Sequence, residues 1–95
     1  MNIEIIEIRF PKSDKATQAF CDVIIDRITI RDFRIMHNGG RHYVKAPFQT
    51  YKNSAGDIQF RQIVDLPDEV REQVDTLILS TFYREKEMAN GSTHR

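Results

Sequence analysis

The tetrapeptide His37-Asn38-Gly39-Gly40 constrains this chain more than any other stretch. Before it stands the β-prone run ITIRDFRIM, residues 28–36, and after it a shorter run at about 42–46. Asn-Gly supplies the positive φ that a primed two-residue turn requires, so the two runs form an antiparallel hairpin. The second run stops at Pro47, which has no N–H to give a ladder.

The same reading extends in both directions. Residues 17–26 form a strand with Ala19, Cys21, Val23 and Ile25 on one face and Phe20 and Ile24 on the other. The short Asp26-Arg27 connection makes a tight hairpin into the 28–36 strand, where parity shifts from Ile28 and Ile30 to Phe33 and Ile35. Residues 2–10 form a first strand. Its parity changes at 5–6, which predicts a bulge or a strand buried on both faces. Residues 11–15, from Pro11 to Lys15, read as a turn or loop. Residues 48–57, FQTYKNSAGD, read as a long polar loop with two aromatics. Residues 58–64 read as a fifth strand with Ile58, Phe60 and Val64 on one face.

One helix is expected, over 66–86. Val70, Val74, Leu77, Ile78 and Phe82 recur at a period of 3.6, and Arg71, Glu72, Asp75 and Glu85 take the opposite face. Asp65 is the expected N-cap, Pro67 suits the first turn, and Asp68 and Glu69 complement the helix dipole. Arg84 and Lys86 suit the other end. The fold class is therefore α+β, an antiparallel β-sheet of four to five strands followed by one C-terminal α-helix. A single domain spans 1–87, and 88–95 is a tail expected to fray. One helix covers only one sheet face. The apolar residues on the second face of strands one to three predict a homodimer.

Several classes of function are excluded. Acids interrupt the apolar N-terminal run MNIEIIEIRF, which does not fit a signal peptide, and no stretch is long enough to span a membrane. A cytoplasmic protein without a membrane partner is the expectation. The single cysteine, Cys21, forbids an intramolecular disulfide, and its apolar neighbours predict a buried thiol. His37, His42 and His94 lack zinc-site spacing, so no metal is expected. Gly39-Gly40 is not followed by a helix and cannot be a phosphate-cradling loop. No enzyme activity, cofactor or small-molecule substrate is expected.

The formal net charge of +0 hides an uneven distribution. Residues 1–26 carry a net of −2, residues 27–61 a net of +5 and residues 62–95 a net of −3. Charges more than ~8–10 Å apart are screened at physiological salt. A polyanion therefore responds to the central segment rather than to the total. A solvated sheet face paired with the acidic helix would show the same composition, and charge alone does not separate the two.

The stretch AFCDVIIDRITIRDFRIMHNGGRHYVKAP, Ala19 to Pro47, resembles the core of the stage V sporulation protein G (SpoVG, septation protein) family. The matching pieces are Ile25-Asp26, Arg31-Asp32-Phe33-Arg34-Ile35, the Asn38-Gly39-Gly40 turn and Ala46-Pro47. Further on, Gly56-Asp57, Phe60-Arg61-Gln62-Ile63 and the helical Phe82-Tyr83-Arg84 follow the family's order, so the resemblance covers about residues 3–86. It implies a dimeric α+β fold, DNA binding with RNA binding also seen, and a bacterial regulatory role in transcription, sporulation, septation or cell division.

The family carries basic residues directly after its Met-Pro. Here that place holds Phe48-Gln49-Thr50-Tyr51-Lys52, and the loop to Phe60 is longer by about four residues. Arg34 matches the family's strand arginine; its alternative is an ion pair with Asp32 or a helix acid. The expected nucleic-acid-binding residues are Arg34, Arg41, Lys45, Gln49, Thr50, Tyr51, Lys52 and Arg61. Tyr51 and Phe48 could stack on single-stranded bases, with core or dimer packing the alternative for Phe48. The only helix is acidic outside, so a β-ribbon or loop reader is the expected mode. The second reading is a protein-interaction adaptor that has lost DNA binding.

Overall fold

The computed structural model describes residues 1–12 and 16–92, with side chains through Met88. The element order is β1 (Ile3–Arg9), β2 (Thr17–Ile25), β3 (Ile28–Asn38), β4 (Arg41–Lys45), β5 (Phe48–Lys52), β6 (Ile58–Gln62) and α1 (Asp68–Ser92). β1 to β4 form one antiparallel sheet in sequence order, and β5 pairs with β6 in a separate two-stranded ladder. The α+β class is as expected.

Both parity changes are backbone irregularities. The β1–β2 register shifts between Ile5 and Glu7, so Ile6 is the extra residue and Ile3, Ile5 and Ile8 all face inward. The β2–β3 register shifts between Cys21 and Val23, opposite Arg31-Asp32, and Asp32 adopts φ 68°. Aspartate is among the few non-glycine residues that accept this left-handed conformation. Asp26 does the same at φ 56° in the β2–β3 turn, where its carboxylate accepts the Asn2 N–H at 2.8 Å.

The β3–β4 turn sits one residue later than expected. Asn38 pairs with Arg41 in the ladder, and Gly39 (φ 61°) and Gly40 (φ 83°) are the central residues. Both have the positive φ of a type I′ turn.

The core joins the sheet residues Ala19, Cys21, Val23, Ile25, Phe33, Ile35, Val44 and Ala46 to Val74, Ile78 and Phe82 of α1. The helix lies over one sheet face, nearest β4 and β1. Arg71 is half-buried rather than outward-facing: it pairs with Asp75 at 2.8 Å and donates to the Val44 carbonyl at 2.8 Å, tying α1 to β4. Asp65 is not the N-cap. The Pro67 carbonyl accepts the Arg71 N–H at 2.8 Å, and Asp65 instead accepts from the Gln62 amide at 3.2 Å. The helix also runs on to Ser92 rather than fraying from residue 88. The expected loop at 11–15 and the end of the tail, 93–95, fall partly or wholly outside the described residues. Among the described residues, no helix is long and apolar enough to cross a membrane.

The chief departure concerns residues 48–57. Phe48–Lys52 is a strand, not a loop, and it pairs with β6 from Phe48↔Gln62 to Lys52↔Ile58. Asn53 makes the turn: its side-chain oxygen accepts from the Ala55 and Asp57 N–H groups at 2.9 and 3.0 Å, and Gly56 takes φ 86°. The Ile63 N–H donates to the Pro47 carbonyl at 3.0 Å and closes the base of the arm. The arm projects. The radius of gyration is 15.0 Å, against about 12 Å for a compact chain of this length.

Candidate nucleic-acid interface

Side chains alternate across a strand, so β4 sends His42 and Val44 toward the helix and Arg41, Tyr43 and Lys45 to the open face. Arg34 pairs with Lys45 across β3–β4 and with Phe20 across β2–β3, which places all three on that open face. Phe48, the first residue of the arm, swings over them. The Arg34 guanidinium lies 5.3 Å from the Phe20 ring centroid and 4.4 Å from that of Phe48. The Lys45 ammonium lies 4.7 Å from Phe48 and 5.0 Å from Phe60. Phe48 and Phe60 are 5.6 Å apart. Ring and cation thus alternate in the order Phe20, Arg34, Phe48, Lys45, Phe60.

Among the described residues, neither Arg34 nor Lys45 has a carboxylate partner. The alternative ion pair of Arg34 with Asp32 is not formed; Asp32 bonds Arg9 at 2.8 Å. Arg9 and Arg31 converge on Asp22, whose side chain is 2% exposed. Arg9 bonds both its oxygens at 2.9 and 3.2 Å, Arg31 bonds one at 3.1 Å, and the Asp32 N–H donates at 3.0 Å. Burial pushes the Asp22 carboxyl up, but these donors outweigh it and hold it below the ordinary carboxylate value. The hydrogen bond to Asp22 in turn raises the Arg9 guanidinium.

Between sheet and arm lies a groove of about 640 Å³. Arg9, Phe20, Thr29, Ile30, Arg31, Asp32 and Arg34 form its sheet wall, and Pro47, Phe48, Ile63 and Val64 form its arm wall.

The expected binding residues separate into three places. Arg34 and Lys45 meet. Arg41 shares their face but stands at the far end of β4, about 13 Å away at ~3.3 Å per residue. On the arm, Thr50 and Lys52 share the Phe48 and Phe60 face, while Gln49, Tyr51 and Arg61 lie on the reverse face, with Gln49 opposite Arg61. Arg61 is exposed, and so are Ile58 at 61% and Phe60 at 64% on the other face of β6. Arg9, Arg31 and Phe20 were not singled out from sequence. Their convergence depends on the register of three strands, and only the even parity of Phe20 hinted at it.

The remaining candidate chemistry is closed off or structural. Cys21 is buried with 0% exposure, and burial pushes its thiol up to about 12. His42 packs between His37 and Phe82 and bonds the Tyr83 hydroxyl at 3.2 Å. Burial, then His37 and Lys86, lower its pKa. Among the described residues, no group of three or more His, Cys, Asp or Glu is placed to hold a metal ion.

No protein-family model matches the chain, and no curated protein matches it.

Proposed function

We propose that this protein is a nucleic-acid-binding regulatory protein that acts as a homodimer and docks phosphates on the open face of its four-stranded sheet. The observation that carries this reading is the placement of Arg34 and Lys45. Two cations without carboxylate partners among the described residues lie side by side among aromatic rings on a surface the helix does not cover. The resemblance to the stage V sporulation protein G family supports DNA, and RNA beside it, as partners. It also supports a role in bacterial gene regulation, sporulation or septation, carried out in the cytoplasm. Nothing in the site calls for catalysis.

Salt dependence tests the site. Log K falls with log salt at a slope of about −0.9 per phosphate neutralised on duplex DNA. The Arg34→Gln, Lys45→Gln double variant should flatten that slope by about 2. An unchanged slope, with circular dichroism showing an intact fold, would overturn this assignment.

The adaptor reading has one observation of its own. Ile58, Phe60 and Ile63 expose apolar surface on and beside the arm, as protein interfaces do. We assign that surface first to the second protomer. Absence of any nucleic-acid complex at low salt, together with a stable complex with one other protein, would favour the adaptor.

A further inference from the structure

We infer that the groove between the sheet and the arm takes an unpaired nucleobase, so that the protein grips single-stranded DNA or RNA in preference to a duplex. The inference rests on the nucleic-acid reading above and narrows it to one class of ligand.

A duplex offers its phosphates outward and keeps its base faces stacked inside. Arginines and lysines suffice to hold it, and phenylalanine rings add nothing to a phosphate contact. This surface is built differently. Phe20, Phe48 and Phe60 alternate with Arg34 and Lys45, so each cation has a ring beside it. Flat π-surfaces and positive charge at one place match a strand whose bases are splayed out and whose phosphates run alongside. A guanidinium plane stacks on a base much as an aromatic ring does, which makes Arg34 part of the stacking surface as well as a phosphate partner.

The groove has the size for it. Its volume of about 640 Å³ falls within the ≈ 300–1,000 Å³ of ordinary ligand sites. The walls divide the work. Phe20 and Phe48 offer rings, Ile63 and Val64 close the apolar side, and Arg34 supplies a charge that no carboxylate among the described residues quenches. Arg31, with its side chain 67% exposed, stands at the rim while Asp22 fixes one of its nitrogens. Such a cleft, open to one base and walled by the arm, excludes the width of a double helix.

The test measures fluorescence anisotropy of the full chain with a labelled oligonucleotide in four forms at one salt concentration: single-stranded DNA, the same sequence as RNA, the DNA duplex, and a single strand with abasic sites at its centre. The single strands should bind about tenfold or more tighter than the duplex, and the DNA and RNA arms identify which strand is preferred. Abasic substitution should weaken binding about five- to a hundredfold, the range for losing one stacked base. Phe20→Leu and Phe48→Leu should weaken the base-bearing strand by a similar factor and the abasic strand by clearly less. The abasic arm uses the unaltered protein, so the test survives a variant that fails to fold. Equal binding of duplex and single strand, or of abasic and intact strands, overturns the inference while nucleic-acid binding stands. Failure to bind all four forms at low salt overturns both.

Discussion

Arg34 and Lys45 face each other across β3 and β4, and both charges lie against the ring of Phe48, at 4.4 and 4.7 Å from its centroid. Like charges opposed in a ladder destabilise it. The ring offers each cation a negative π-face and so offsets that repulsion. It also fastens the arm to the sheet, because Phe48 opens β5.

Phe48→Leu keeps apolar bulk and removes the π-face. Two partly exposed cation–π contacts at ~0.5–1 kcal/mol each predict a loss of about 1–2 kcal/mol in urea unfolding. The loss should shrink in a Lys45→Met background, since one of the two contacts is then already gone. An equal loss in both backgrounds would mean that Phe48 acts only by packing.

Asp22 is the buried anchor of the open face. Asp22→Asn leaves Arg9 and Arg31 without their shared carboxylate, but both guanidinium groups still reach water. We expect a loss of about 2–3 kcal/mol, under the ~3–5 found for breaking fully buried pairs. The pH dependence follows from the lowered pKa. A carboxylate whose folded pKa lies below its unfolded value stabilises fully above the unfolded value, here 3.8 in the ordinary case, and loses that contribution as pH falls through the folded one. Acid unfolding of the wild type should therefore steepen below about pH 4, and the Asn variant should lack that component.

The sheet and helix were legible in the sequence because burial leaves a period. Cys21, Val23 and Ile25 alternate, Val74, Ile78 and Phe82 repeat every four, and the parity breaks at Ile6 and at Arg31-Asp32 each coincide with a register shift. The strand β5 was not legible for the same reason. Beyond half-buried Phe48, residues 49–52 are exposed, so the strand carries no alternation of burial, and Phe48–Phe60 is the one ring contact beside its backbone pairing with β6 among the described residues. The signal that could have found it is the turn, Asn53 with Gly56 three residues on. The site was legible only in part. Arg34 and Lys45 belong to adjacent strands joined by a readable turn, but the reversal that carries Phe48 over them occurs at Ala46-Pro47, where sequence shows only that a strand ends.

His42 supplies a pH dependence of the opposite chemical kind. Its pKa is lowered from 6.5 by burial, then by His37 and Lys86. The unfolded chain therefore binds its proton first, and stability falls as pH drops from 6.5 toward the folded value. His42→Phe keeps the ring against Phe82 and removes the titration. Its stability should be flatter than the wild type's between about pH 5 and 7; identical slopes in the two proteins would contradict the assignment.

The arm's apolar surface bears on the oligomeric state. A two-stranded hairpin is marginal in water by itself, and every residue of β6 is exposed in the single chain. Ile58, Phe60 and Ile63 carry 60–64% exposure, while the core under α1 involves none of them. Replacing all three by Ser should thus spare the monomer's core and remove the surface a second protomer would cover. The wild type should run as a dimer in light scattering at micromolar concentration, and its Tm should rise with protein concentration. Burying one large apolar side chain contributes ~1.5–3 kcal/mol, so the triple variant should weaken the dimer by about a hundredfold or more. If the wild type is a monomer at that concentration, the arm has another occupant, and the adaptor reading gains the surface. If the triple variant stays a dimer, the second protomer sits elsewhere, and Ile6, Phe10 and Ile28, exposed at 46%, 48% and 65%, become the next positions to change.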